Sequence, residues 1–129
     1  MTGVIWFVQV VHYPLMARVP QRSYQNFQRA HVARTTWVVG PPMIVEAACA
    51  IGLLLLPSTS ASFYWSLMGF LLLVCIWVST ALFQVPAHHT LLEGFDQNTH
   101  RSLVRSNWVR TFAWTIRSAV ACLILVFHL

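Results

Sequence analysis

No lysine occurs anywhere in the chain. That absence removes Schiff-base chemistry with retinal or pyridoxal phosphate. Charge of any sign is scarce. Charged residues make up 9% of the 129, where soluble domains carry about a quarter. Glu46, Glu93 and Asp96 are the only acids. The three cysteines, Cys49, Cys75 and Cys122, lie inside apolar runs without a C-x-x-C spacing. They read as small buried hydrophobes and not as a disulfide framework or a thiolate metal site. There is no His-x-x-x-His and no Glu-x-x-His. The N-terminus has neither a basic n-region nor a clear small-residue cleavage site, so the sequence predicts a retained first helix and not a signal peptide.

What is present is apolar. Hydrophobic residues make up 57% of the chain, in runs too long for a core of this size to hide from water. The class this implies is an integral membrane protein. Four apolar segments predict four helices: about 3–17, a second from Ser23 as N-cap through residue 56, a third from about 63 to Glu93, and a fourth from Asp96 as N-cap to the end. Gly40-Pro41-Pro42 is expected to break or kink the second. Pro57 to Ser62 reads as a turn, and Gly94 as a helix C-cap. Seven of the eight arginines fall at the 1–2 and 3–4 turns, with none at the 2–3 turn. The positive-inside rule then places that face in the cytoplasm and both termini outside, in a bacterial inner membrane. Arginines set beside apolar segments do not suggest nucleic acid.

One stretch occurs twice. Arg29-Ala30-His31-Val32-Ala33-Arg34-Thr35 is matched by Arg105-Ser106-Asn107-Trp108-Val109-Arg110-Thr111. Ahead of them, Phe7-Val8-Gln9-Val10 is matched by Leu82-Phe83-Gln84-Val85. The pattern predicts an all-α, four-helix transmembrane bundle built as one domain, 1–129, from two tandem, weakly repeated hairpins at about 3–57 and 62–129. Under that symmetry His31 faces Asn107, and Arg34 and Arg110 converge on one ligand across a pseudo-twofold axis.

Two ionised residues lie about ten residues into apolar runs, Glu46 in helix 2 and Arg117 in helix 4. At about 1.5 Å per residue both sit roughly 15 Å deep. An unpaired charge there costs at least about 2.5–3.5 kcal/mol, so the two are expected to meet inside the bundle. Every helix also carries a histidine: His12, His31, His88 or His89, and His100. Gln84 and His88 are i,i+4, His31 and Arg34 are i,i+3, and Asn107, Arg110, Trp114 and Arg117 form one stripe. These stripes predict a polar pocket in the cytoplasmic half. The candidate catalytic set is His31, Arg34, Glu46, His88, Asn107, Arg110 and Arg117, with Gln9, Tyr13, Trp37, Gln84 and Trp114 binding substrate. His31 or His88 would be acid/base or ligand, and the arginines would hold developing negative charge. His12, His31, Glu46, His88 and His89 are the candidate ligands for Fe or Cu. A pocket without metal is the alternative.

Gln84-Val85-Pro86 followed by Asn107-Trp108-Val109-Arg110-Thr111 resembles the DUF1772 group of small four-helix membrane proteins, which includes the anthrone oxygenases. The resemblance covers about the last third of the chain and implies an oxygenase. His12 and His31 give a fainter similarity to HemJ-like and CopD-like four-helix proteins, which implies haem or copper. The function expected is therefore a membrane-embedded oxidoreductase, oxygenase-like, acting on a lipophilic or aromatic small molecule that arrives from the lipid bilayer. A haem- or metal-binding redox protein, a small-anion or proton transporter working as a homo-oligomer, and an assembly subunit are the alternatives.

Overall fold

Four helices make up the described chain, and no strand occurs among the described residues. The computed structural model describes the backbone of residues 1–56 and 60–128 and the side chains of 1–56 and 62–126. Helix α1 is Thr2–Met16, helix α2 is Gln21–Leu55, and helix α4 is Gln97–His128. Helix α3 begins as Ser60–Ser79, passes through the π turn Thr80–Gln84 and ends as Val85–Leu92. The turn expected from Pro57 lies, over 57–59, outside the described residues.

Both π turns have a local cause. Val8–His12 in α1 ends two residues before Pro14, and Thr80–Gln84 ends two residues before Pro86. A proline ring clashes with the carbonyl four residues back and offers no N–H. Widening the preceding turn moves that carbonyl aside. The Gly40-Pro41-Pro42 segment behaves differently from expectation: α2 stays helical through it. The two prolines remove only the donors that would serve the carbonyls of Trp37 and Val38. Both rings face outward, where they meet no neighbouring helix. Helix α2 also starts earlier than predicted. Pro20, with ψ 138°, is its N-cap, and Ser23 instead donates its hydroxyl back to the Pro20 carbonyl at 3.1 Å.

The second short turn is as the sequence predicts. Gly94 has φ +151°, a conformation that side chains with a Cβ rarely adopt. Asp96 then caps α4, its Oδ2 accepting the Thr99 backbone N–H at 2.6 Å. The Thr99 hydroxyl and then its N–H hold the exposed Asp96 carboxyl below its ordinary pKa.

Helix α1 packs on α4, α4 along α3, and α3 on α2, while the backbones of α1 and α2 stay apart. Thr2 and Trp6 tie α1 to α4 through the Trp114 carbonyl at 3.1 Å and the Thr115 hydroxyl at 3.0 Å. Gln25 ties α2 to α3 by donating to the Glu93 carbonyl at 2.6 Å. Two apolar clusters close the bundle. Ile5, Met43, Ile76, Ala113 and Trp114 form one, and Tyr13, Met16, Tyr24, Leu91 and Leu103 the other, nearer the arginine-rich end.

Most large apolar side chains nevertheless point outward. Val38, Ile44, Val45, Ile51, Leu71, Leu82, Phe112, Ile116 and Leu125 are all exposed. So are Cys49, Cys75 and Cys122, which corrects the expectation that they are buried. A protein in water hides such a surface. By length and composition α2, α3 and α4 can each cross a membrane, and α1 is a shorter apolar helix.

Candidate functional site

Three histidines from three helices meet where α1 and α2 stand apart. His12 Nε2 and His31 Nδ1 share a hydrogen bond of 2.9 Å, with the rings stacked at 4.5 Å between centroids. Thr35, one turn along α2, brings its hydroxyl within 3.1 Å of the same His31 nitrogen. The His88 ring lies 5.2 Å from that of His31. Gln28, fully buried on α2, sends its Nε2 to His88 Nδ1 at 3.0 Å and to the His88 carbonyl at 3.4 Å. A carbonyl can only accept, so the amide nitrogen must face it, and the same nitrogen then donates to the ring. His88 Nδ1 is therefore an acceptor, and its proton sits on Nε2.

Beneath the histidines lies Arg110, 7% exposed. Its Nη1 donates to Asn107 Oδ1 at 3.0 Å, Asn107 Nδ2 donates to Gln9 Oε1 at 2.7 Å, and Gln9 Nε2 donates to the Val104 carbonyl at 3.2 Å. The guanidinium also lies over the Trp114 ring, 5.1 Å from its centroid. Arg110 has no carboxylate partner among the described residues, and its buried Nε makes no hydrogen bond. A buried cation normally requires an anion nearby. Here the side chain borders a cavity.

That cavity, of about 380 Å³, lies between α1, α2 and α3 with Arg110 of α4 on its wall. Its volume is in the range of small-molecule sites. Val4, Ile5, Val39 and Met43 make one part of it apolar, and Tyr13, His31, His88, His89 and Arg110 make another part polar. The Tyr13 hydroxyl donates to Gln84 Oε1 at 3.4 Å, and Gln84 Nε2 donates to the Ser106 hydroxyl at 2.9 Å, so these two are held in place by α4.

Glu46 and Arg117 meet as their depth implies, at 3.6 Å between Oε2 and Nη1. They form a separate layer, roughly 22 Å along α2 from His31 at 1.5 Å per residue. Trp114 connects the layers: its Nε1 donates to Glu46 Oε2 at 3.0 Å while its ring carries Arg110. Arg117 also reaches the carbonyls of Gly69 at 3.3 Å and Glu46 at 3.4 Å.

The predicted residues therefore divide. Tyr13, His31, Gln84, His88, His89 and Arg110 line the cavity. Gln9, His12, Asn107 and Trp114 stand behind it and hold its walls. Glu46 and Arg117 are elsewhere. Arg34 and Trp37 are corrections: both are exposed and neither lines the cavity, Trp37 being 81% exposed. The expected convergence of Arg34 with Arg110 does not occur, because no helix packs on the face of α2 that carries Arg34. His31 does not face Asn107 either. His31 bonds to His12 and Asn107 to Gln9, so both turn toward α1. His100 is structural, its Nε2 3.0 Å from the Tyr13 carbonyl.

Two residues were missed, Gln28 and Thr35. Both stand on the helical stripe of His31, at i−3 and i+4, and that spacing could have found them. A metal fits this set poorly. His12 Nε2 and His31 Nδ1 are spent on each other, His88 Nδ1 is spent on Gln28, and Glu46 lies in the other layer. Among the described residues no three His, Cys, Asp or Glu side chains could hold a metal ion together. No family model matches the chain, and no curated protein and no solved structure matches it.

Proposed function

We propose that this chain is an integral membrane enzyme of the oxygenase type, acting on a flat, lipophilic molecule whose acidic C–H is conjugated with a carbonyl. Helices α2, α3 and α4 cross the bilayer with the shorter α1 packed beside them, the arginine-rich face in the cytoplasm and both termini toward the opposite side. The exposed apolar surface and the placement of the arginines support that orientation, and a reporter fused to the C-terminus should be active only outside the cytoplasm. The observation that carries the site is Arg110, buried on the wall of a partly apolar cavity with no carboxylate partner among the described residues.

The chemistry follows from the tautomers. If His31 Nδ1–H donates to His12, its Nε2 lone pair faces outward as a base. It takes the substrate proton, and the excess proton shares the bond between the two imidazoles. The electron pair left on carbon delocalises onto the carbonyl oxygen. Arg110 and the Nε2–H of His88 bind that oxyanion in a site with little water. The enolate is the electron-rich form that dioxygen oxidises. The methylene carbon loses two hydrogens and gains one oxygen as a carbonyl, and the second oxygen atom leaves as water.

Anthrone, a tricyclic ketone whose methylene is conjugated with the carbonyl through its two outer rings, is the probe. Detergent-purified protein should consume dioxygen and form anthraquinone well above the spontaneous rate. His31→Asn and Arg110→Lys should each abolish that excess, since an amide does not titrate and Lys lacks the planar fork. Turnover unchanged by either variant refutes the assignment. A second reading, passage of a proton or small anion, draws on the continuation from Arg110 through Trp114 to Glu46 and Arg117. Proteoliposomes with an internal pH dye distinguish it, because an enzyme closed to one side leaves the dye unchanged.

A further inference from the structure

A second recess, of about 760 Å³, runs along the seam between α3 and α4 and shares no residue with the first cavity. We propose that it binds an anionic phospholipid, the phosphate at its arginine end and the upper part of an acyl chain along its apolar end.

Its α4 wall is one helical stripe. Asn98, Arg101, Ser102 and Arg105 follow i, i+3, i+4, i+7, and Val109 comes one turn further in. The polar part covers about 10 Å of helix. Beyond it the walls are Val78 and Phe83 of α3 with Val109, all exposed apolar side chains. The recess is thus amphiphilic along its length, and its polar end is the end at which the arginines of the 1–2 turn also lie. Both Arg101 and Arg105 are exposed. Neither is neutralised, since the ion pairs among the described residues all belong to Glu46. Asp96, the acid nearest along α4, is occupied by the Thr99 N–H. Two guanidinium forks one turn apart, flanked by an amide and a hydroxyl, match the oxygens of a phosphodiester.

A second copy of this chain fits less well. A twofold contact through the same recess would set arginine against arginine. The zwitterionic head group of a phosphatidylcholine brings its own cation to the pair. A lipid with net negative charge satisfies both ends of the recess at once.

Native mass spectrometry of the whole chain in detergent tests this, with dioleoyl phosphatidylglycerol, dioleoyl phosphatidylcholine and inorganic phosphate as probes. One phosphatidylglycerol should bind at least about tenfold more tightly than phosphatidylcholine. The double variant Arg101→Gln/Arg105→Gln should lose that preference. Arg18→Gln/Arg22→Gln, which removes the same charge at the 1–2 turn, should keep it. Val109→Trp fills the apolar end, leaves every charge in place and should also weaken binding, so the test stands even if the arginine variant does not fold. Equal losses in the two arginine pairs mean bulk attraction and overturn the site. So does inorganic phosphate binding with the same variant pattern, or a dimer that forms through the recess without lipid. The proposal rests on the membrane reading and not on the oxygenase. A chain recovered in the soluble fraction defeats the former, whereas a membrane-bound chain without lipid preference defeats only the recess.

Discussion

Asn107→Asp is the substitution that tests the cavity most directly. Asn107 Oδ1 already accepts from Arg110 Nη1 at 3.0 Å, one turn along the same helix, so a carboxylate in its place would form an ion pair with no movement of the backbone. The cost falls on Gln9. Its Oε1 receives the Asn107 amide at 2.7 Å, and a carboxylate cannot donate. Leaving that buried acceptor unpaired costs about 1–3 kcal/mol, and the new charge-assisted bond contributes about 1.5–3 kcal/mol. The two nearly cancel, so thermal stability should change little. Affinity for an anion should not be spared. A negative charge behind the guanidinium lies about 6.5 Å from a ligand anion in front of it. At an effective dielectric near 20 the repulsion is about 2.5 kcal/mol, on the order of 70-fold in dissociation constant. Titration calorimetry with 9-anthracenecarboxylate reads this, with 9-anthracenemethanol as the neutral control. The variant should bind the carboxylate far more weakly and the alcohol about equally. If both ligands bind as they do to the unsubstituted protein while the fold is intact, the cavity does not feel the charge of Arg110. The reasoning about an uncompensated cation is then wrong.

Arg34→Lys should leave anthrone turnover unchanged, whereas Arg110→Lys should abolish it; equal effects in an oxygen-electrode assay would contradict their different burial. Glu46→Gln keeps an oxygen for the Trp114 N–H and should cost about 1–2 kcal/mol. Arg117→Met leaves Glu46 only the Met1 ammonium at 3.7 Å and the Trp114 N–H and should cost about 1.5–3 kcal/mol. The double variant should fall short of their sum by about 1–3 kcal/mol in thermal unfolding, and strict additivity would mean that the pair does not interact. Asp96 has a pKa depressed by folding, so its cap contributes above the unfolded value near 3.8 and is lost as pH falls through the folded value. Asp96→Ala should therefore speed amide exchange at Thr99 at neutral pH and make no difference in strong acid.

Apolar runs and turn residues made the four helices legible in the sequence, because Gly94 and Asp96 each act locally, whereas the N-cap expected at Ser23 lies at Pro20. The stripe of Asn107, Arg110, Trp114 and Arg117 was legible for the same reason: a polar face on an apolar helix has to turn inward. Depth alone paired Glu46 with Arg117. What the sequence misassigned depends on which helices are neighbours. The repeated segment suggested that Arg34 and Arg110 are equivalent, but equivalence needs equal surroundings. Helix α4 has α1 and α3 packed on it, while α2 leaves the face carrying Arg34 and Trp37 open. The proline pair in α2 misled in another way, since two missing donors do not break a helix when its rings have room outside.

The π turns have a consequence for how this protein can vary. Each holds one residue more than a regular helix would place there, and one residue corresponds to about 100° of rotation. Deleting Val10 would let α1 heal into an unbroken helix while swinging residues 1–9 through slightly more than a right angle. Gln9 would leave Asn107, and Ile5 would leave Trp114. Deleting Phe83 would similarly turn Gln84 and His88 together, away from the part of α3 that carries Ile76. Within these two short windows the chain therefore tolerates changes of residue type far better than changes of length. A relative that is one residue shorter there would share the fold but would carry a different set of side chains on the cavity wall.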